Sequence, residues 1–219
     1  MNRAETSACA NDEPEGKERG GYFPYGKAET DYLKRRDRRL GKAIDDIGMI
    51  ERPVTPDLFA ALVKSIVSQQ ISRKAAAAIW GRFCGGHWEM TPQSIADMDI
   101  PAMQQCGLSL RKAEYIKGIA TAVASGAIDL CELNQIPDDE VIKRLSSLNG
   151  IGVWTAEMLM IFSLCRPDVV SWGDLAIRRG MMNLYGLTEL SKDQFERYRK
   201  RYSPYGSVAS LYLWALSVP

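Results

Sequence analysis

The chain has no closely spaced cysteines. Its five, Cys9, Cys84, Cys106, Cys131 and Cys165, stand singly with no C-x-x-C spacing. That pattern argues against a zinc site or a disulfide framework and fits a reducing cytoplasm. No apolar run is long enough to cross a bilayer, and the polar N-terminus lacks the apolar stretch of a signal peptide. Histidine occurs once, as His87 in a Gly-Gly-His-Trp loop where a surface position is expected. Strand-like alternation of useful length is missing too, which removes most sheet architectures. Nor does net charge single out a partner: it is +1 over 219 residues. The distribution is uneven, with four basic and six acidic side chains in residues 1–30 but seven basic and four acidic in residues 171–203. A local basic excess of that size suits a polyanionic partner and a solvated helix face equally.

What is present reads as helices. Residues 1–20 carry almost no large apolar side chains and are expected to form a disordered tail. Tyr32, Leu33, Leu40, Ile44 and Ile47 then fall at helical spacing, with Gly48 as a stop. A second helix is expected to start with a Thr55 cap and Pro56 in its first turn, and a third at Ser72. Seven more segments follow, most with a cap or a Gly/Pro breaker, giving an all-α chain of about ten helices.

The stretch LNGIGVWTAEMLMIFSLCRPDVVSWGDLAIRRG, residues 148–180, carries the most information. A helix ending at Leu148, the loop Asn149–Gly152 and a helix from Val153 make a helix–hairpin–helix. Gly150 and Gly152 permit positive φ and leave the backbone uncovered. The second helix then presents free N–H groups and the positive end of its dipole to whatever lies above the loop, which suits a phosphate. Equally, the glycines serve a tight αα-turn. Asp174 opens the next helical run after Gly173 and has the position of an N-cap. An acid beside a phosphate site is unfavourable unless it has work there.

Together these residues resemble the helix–hairpin–helix DNA glycosylase superfamily, whose signature is this hairpin followed by an aspartate. SIVSQQISRKAAAAI, GLSLRKAEYIKGIA and YSPYGSVASLYLWA resemble further segments of the same family. The resemblance implies two helical domains with a DNA-binding cleft between them. One is built from residues 21–52 plus 168–219. The other is a central barrel over residues 53–167 that carries the hairpin at about 140–165. It also implies Asp174 as the catalytic carboxylate.

Three features place the chain within the family. Bifunctional glycosylase/lyases carry a Schiff-base lysine two residues after the second hairpin glycine; that position is Trp154, so a monofunctional enzyme using water is expected. No cysteine follows Cys165, which excludes the iron–sulfur cluster of the endonuclease III branch. Trp214 matches the base-stacking tryptophan of the alkylbase branch (3-methyladenine DNA glycosylase II), and an indole face favours a cationic alkylpurine by roughly 0.5–2 kcal/mol. Core packing is the other reading of that residue. The expected function is therefore excision of alkylated purines (3-methyladenine, 7-methylguanine) in base excision repair. The alternatives are a glycosylase for an oxidised or mispaired base, or a non-catalytic DNA-binding module.

The expected base pocket is Trp214, Trp154, Met158, Trp172, Tyr25 and Phe23, although anchoring to the core is the simpler role for the last two. DNA contacts are expected at Gly150, Ile151, Gly152, Val153 and Thr155 of the hairpin. Gln69, Gln70 and Ser72 are expected at a turn where the family places a wedge for the gap left by the flipped nucleotide. The run KRRDRR at 34–39 reads as a solvated helix face. By resemblance, the main-chain carbonyls of Ser146, Leu148 and Ile151 hold a cation such as Na+ or K+, and no cofactor is required. The chain departs from the family at Ser171-Trp172-Gly173, where Pro is frequent, and at Gly206, where Arg is common. The expected partner is double-stranded DNA with damaged bases, bound by a cytoplasmic monomer that is nucleoid-associated if the source is bacterial.

Overall fold

Caps and breakers in the sequence translate into short helices joined by tight turns. A computed structural model describes residues 21–86 and 88–218; the expected tail over 1–20 and His87 lie outside them. The helices are α1 (Lys27–Arg36), α2 (Arg38–Ile47), α3 (Leu58–Ser68), α4 (Arg73–Cys84), α5 (Pro92–Asp97) and α6 (Ile100–Gln105). They continue as α7 (Leu110–Ala124), α8 (Asp138–Ser146), α9 (Val153–Phe162), α10 (Leu175–Tyr185), α11 (Lys192–Tyr202) and α12 (Gly206–Leu216). The chain is all-α: among the described residues, extended pairing is limited to one bridge between Tyr22 and Pro53. No described helix is long and apolar enough to cross a membrane.

Among the described residues, twelve α-helices replace the expected ten helices for two local reasons. Asp37 breaks the first segment: its backbone is extended (φ −144°, ψ 111°) and its carboxylate accepts from the N–H groups of Arg39 and Leu40, starting a new helix. The run 34–39 therefore straddles two helices instead of forming one solvated face. Residues 100–105, too short to show a period, form α6 under a cap from Asp99. A third correction concerns α3, which is capped by Asp57 through Ala60 N–H. Thr55, the expected cap, donates its N–H to the Phe162 carbonyl instead. Cys131 is disulfide-bonded, which the scattered spacing does not foretell.

The helices pack as two groups around one continuous apolar core. The first and last parts of the chain meet as α1, α2, α10, α11 and α12, while α3 to α9 pack among themselves. Asp37 binds the first group together. It is 5% exposed and accepts hydrogen bonds from the Tyr185 hydroxyl (2.6 Å) and from Arg201 (3.1 Å). Burial alone would raise its carboxyl, but the bonds from Tyr185, Leu40 N–H and Arg201 outweigh it and hold the group below the usual range.

The closest approach in this group is α10 across α12. A Cβ at Gly180 would sit 1.9 Å from the Leu213 carbonyl oxygen, an atom of the helix backbone that cannot turn aside. Gly180→Ala is expected to force α10 and α12 apart and cost about 3 kcal/mol. A urea unfolding midpoint unchanged by the substitution would show that the two helices have slack.

Candidate active site

The hairpin forms as its glycines require, though the two do different work. Gly150 takes φ +88°, and a Cβ there would meet Tyr115 at 2.5 Å and Ile66 at 2.8 Å, so both conformation and space demand glycine. Gly152, expected to share that freedom, has an ordinary φ of −91°. A Cβ at Gly152 would meet nothing within 4 Å. The fold itself does not need glycine at 152. Gly152 supplies no side-chain cap to α9, so the first-turn N–H groups face outward. Val153 and Trp154 beside it are exposed, Thr155 is half-buried, and Ile151 and Leu148 anchor the loop in the core.

Asp174 lies across from this helix start. One oxygen caps α10 through Ala176 and Ile177 N–H, both at 2.9 Å. The other accepts the Trp154 indole N–H at 3.0 Å. Asp174 is only 7% exposed, so its charge is held by three N–H donors instead of by water. Trp154 thus ties the first turn of α9 to the first turn of α10.

The segment between α9 and α10 has no regular structure, and side chains hold it on both sides. On one side, Ser207 of α12 accepts from Val169 N–H and donates to the Arg166 carbonyl, and Ser210 donates to the Val169 carbonyl. Asp168 accepts from Gly206 N–H and the Ser203 hydroxyl. A Cβ on Gly206 would lie 2.6 Å from that carboxylate and 2.8 Å from the Val170 side chain, so this packing is built around glycine. On the other side, the Ser171 hydroxyl donates to Glu157 of α9.

Glu157, Ser171, Asp168, Ser207 and Ser210 were not legible as site residues. Their signal is polar residues in otherwise apolar stretches: Glu157 interrupts α9, and Ser207 and Ser210 are fully buried in α12.

Along α9, Trp154, Met158 and Phe162 recur at i, i+4 and i+8 and so share a face about 12 Å long. Phe162 meets Trp214 with ring centroids 5.4 Å apart. An apolar wall therefore runs from Asp174 to Trp214. The remaining expected pocket residues have packing partners of their own. Trp172 packs edge-on against Phe195 and under the Arg178 guanidinium, toward α10 and α11. Phe23 is buried in the core. Tyr25 exchanges hydrogen bonds with the Ile50 backbone through its hydroxyl.

The turn after α3 reaches the hairpin directly. Gln69 donates its side-chain amide to the Gly150 carbonyl at 2.7 Å. Gln70 is exposed and left-handed (φ +55°), a conformation costing a non-glycine residue roughly 1–2 kcal/mol. Ser72 caps α4 through Ala75 N–H. Lys112, not singled out by sequence, donates to the Val67 and Gln69 carbonyls at 2.8 and 2.7 Å.

Glu157 supplies a test of the site's electrostatics. Burial, the main cause, raises its carboxyl above the usual range; Ser171 and Arg199 oppose this and the charge of Asp174 adds to it. The folded state thus holds the Glu157 proton more tightly than the unfolded chain. Its contribution to stability is greatest at acid pH and is lost as pH rises through the raised value. Glu157→Gln keeps an acceptor for Ser171 and removes that loss. The gain in thermal midpoint over the parent is expected to be larger at about pH 8 than at about pH 4. An equal difference at both would show that Glu157 is not strained by its surroundings.

Comparison with known proteins fits this geometry. A family model described as HhH-GPD superfamily base excision DNA repair protein matches residues 63–204. The chain is 39% identical over 165 residues to DNA-3-methyladenine glycosylase 1 of Schizosaccharomyces pombe, covering 73% of this chain and 72% of that protein. A crystal structure of a DNA-3-methyladenine glycosidase from Bacillus halodurans superposes with a TM-score of 0.81 at 41% identity, covering 90% of this chain and 92% of that one. The S. pombe 3-methyladenine DNA glycosylase in complex with abasic DNA gives a TM-score of 0.72 at 34% identity, over 86% and 95% of the two chains. The hairpin, the carboxylate at the start of α10 and the helices that position them are those of a member of the HhH-GPD superfamily of base excision DNA repair proteins, to which this chain belongs.

Proposed function

We propose that this chain is a monofunctional DNA glycosylase of base excision repair. It hydrolyses the N-glycosidic bond of alkylated purines such as 3-methyladenine and 7-methylguanine after flipping them out of duplex DNA. The observation that carries the reading is Asp174: a carboxylate nine-tenths buried yet tied only to N–H donors, beside an uncapped helix start and an apolar wall. As the glycosidic bond lengthens, positive charge grows on the sugar. A carboxylate fixed in a poorly hydrated cleft stabilises that charge without reorganising. The same oxygen can hold the attacking water. Alkylated purines are already cationic and leave readily, so no general acid is required. The indoles of Trp154 and Trp214 at the two ends of the wall offer aromatic faces to a cation, while Phe162 between them already carries the Arg52 guanidinium. With tryptophan in the lysine position there is no amine to form a Schiff base.

Backbone N–H groups of α9 bind a phosphate without reading sequence. The enzyme works as a monomer in the cytoplasm, with DNA across the cleft between the two helix groups. Ser146 ends α8, where the dipole is negative, and Leu148 follows in the turn, its carbonyl also accepting the Ile151 N–H. With Ile151 they form an all-oxygen donor set that suits Na+ or K+, which would offset the charge of the phosphate.

The primary test is incubation with methylated DNA and chromatography of the released bases. Asp174→Asn keeps the shape of the cap and is expected to lower excision by at least about two orders of magnitude. DNA binding should persist, and borohydride should trap no adduct in either form. Excision at the parental rate would remove Asp174 from the chemistry, and a trapped adduct would overturn the monofunctional assignment.

The open space at Gly152 allows a separate test of binding. Gly152→Asp fits the fold but places bulk and charge against an incoming phosphate. Affinity for any duplex is expected to fall, with little change in thermal midpoint, and affinity should weaken with added salt in the parent. Undiminished affinity would take the hairpin out of the interface.

A further inference from the structure

The turn joining α3 to α4 is held from two directions, and neither hold is needed to close it. Three residues separate the end of α3 from the cap of α4, a length that many conformations span. This turn nevertheless adopts an unfavourable one, with Gln70 left-handed and its side chain exposed. Lys112, in the first turn of α7, reaches back and donates to two carbonyls at the end of α3, those of Val67 and Gln69. A cation at a helix C-terminus is favoured by the dipole, and two bonds from one ammonium fix the direction in which the chain leaves α3. Burial lowers the Lys112 ammonium from its ordinary value. A partly desolvated lysine committed to main-chain oxygens costs free energy that a mere connection does not require. The second hold is the Gln69 amide on the Gly150 carbonyl, which joins the turn to the hairpin loop.

We propose that Lys112 is a positioning residue for base extrusion, holding residues 69–72 in the shape that lets Gln70 enter the helical stack as the damaged nucleotide leaves. The bond from Gln69 to Gly150 makes the hairpin the reference point, so a phosphate seated there fixes where Gln70 meets the duplex. Lys112 itself touches neither DNA nor the reacting atoms. This rests on the glycosylase reading above. It adds that the cost of opening a paired site is met by a turn built in advance, whose unfavourable backbone is maintained by a half-buried lysine.

The test separates opening from chemistry. Excision of 7-methylguanine is measured from a fully paired duplex and from the same strands with the lesion centred in an unpaired bubble, where little stacking is left to break. Lys112→Met is expected to lose about tenfold or more on the paired site while staying within about threefold of the parent in the bubble, since a displaced positioning group costs most where geometry must be imposed. Lys112→Arg, which keeps the charge and donors, should recover part of the loss. Gln69→Leu, which removes only the tie to Gly150, should show the same preference for the bubble. Equal losses on both substrates, or no loss on the paired one, would overturn the proposal. A parent inactive on both substrates would instead refute the glycosylase reading. In that case a 2-aminopurine beside the lesion still reports opening, and equal fluorescence gain for parent and Lys112→Met would overturn the positioning role independently.

Discussion

A charged carboxylate has to be held with little water around it, and an irregular segment has to deliver it. Residues 163–174 make no helix, so their position depends on side-chain hydrogen bonds. The hydroxyls of Ser207 and Ser210 substitute for backbone partners along Arg166–Val169, and Asp168 reaches α12 through the Gly206 N–H. Such bonds contribute modestly, about 1 kcal/mol each. Leaving the buried groups unpaired would cost more, which makes the segment specific in place as well as stable. Asp174 inherits its position from this bracing and spends its own oxygens on Trp154 and the α10 backbone.

Two carboxylates then lie beside α9 in different surroundings. Asp174 accepts three N–H donors, two from the α10 backbone and one from Trp154. Glu157 has a serine hydroxyl and a distant arginine against burial and a like charge, and burial prevails.

Much of this was readable from local chemistry. The positive φ at Gly150, the cap at Asp174, the cap at Ser72 and the stop at Gly48 each follow from backbone rules, and each is found at its expected residue. What escaped has a common physical reason. Asp37 looks like one more charge in a basic run, yet its partner Tyr185 is 148 residues away. Lys112 reads as a surface residue on an amphipathic helix until α3 is placed beside it. Gly150 is distinguished from Gly152 by its positive φ and by neighbours distant in sequence, Tyr115 and Ile66. Local signals specify the elements, and long-range partners decide what the polar residues within them do.

The pairing of the chain's two ends also constrains how the molecule is made. Residues from Leu58 to Phe162 are contiguous and can assemble while the rest is still being synthesised. α1 and α2 emerge before this block, but they wait for their partners. Tyr32 bonds to Ser203 across 171 residues, and Gly48 to Tyr212 across 164. Contacts closed over such spans form late and slowly. Until α10 to α12 have left the ribosome, the apolar faces of the first two helices stay uncovered and prone to association with other chains. Because Asp174 opens α10, a chain whose synthesis stops early lacks both the carboxylate and the cover for its own beginning.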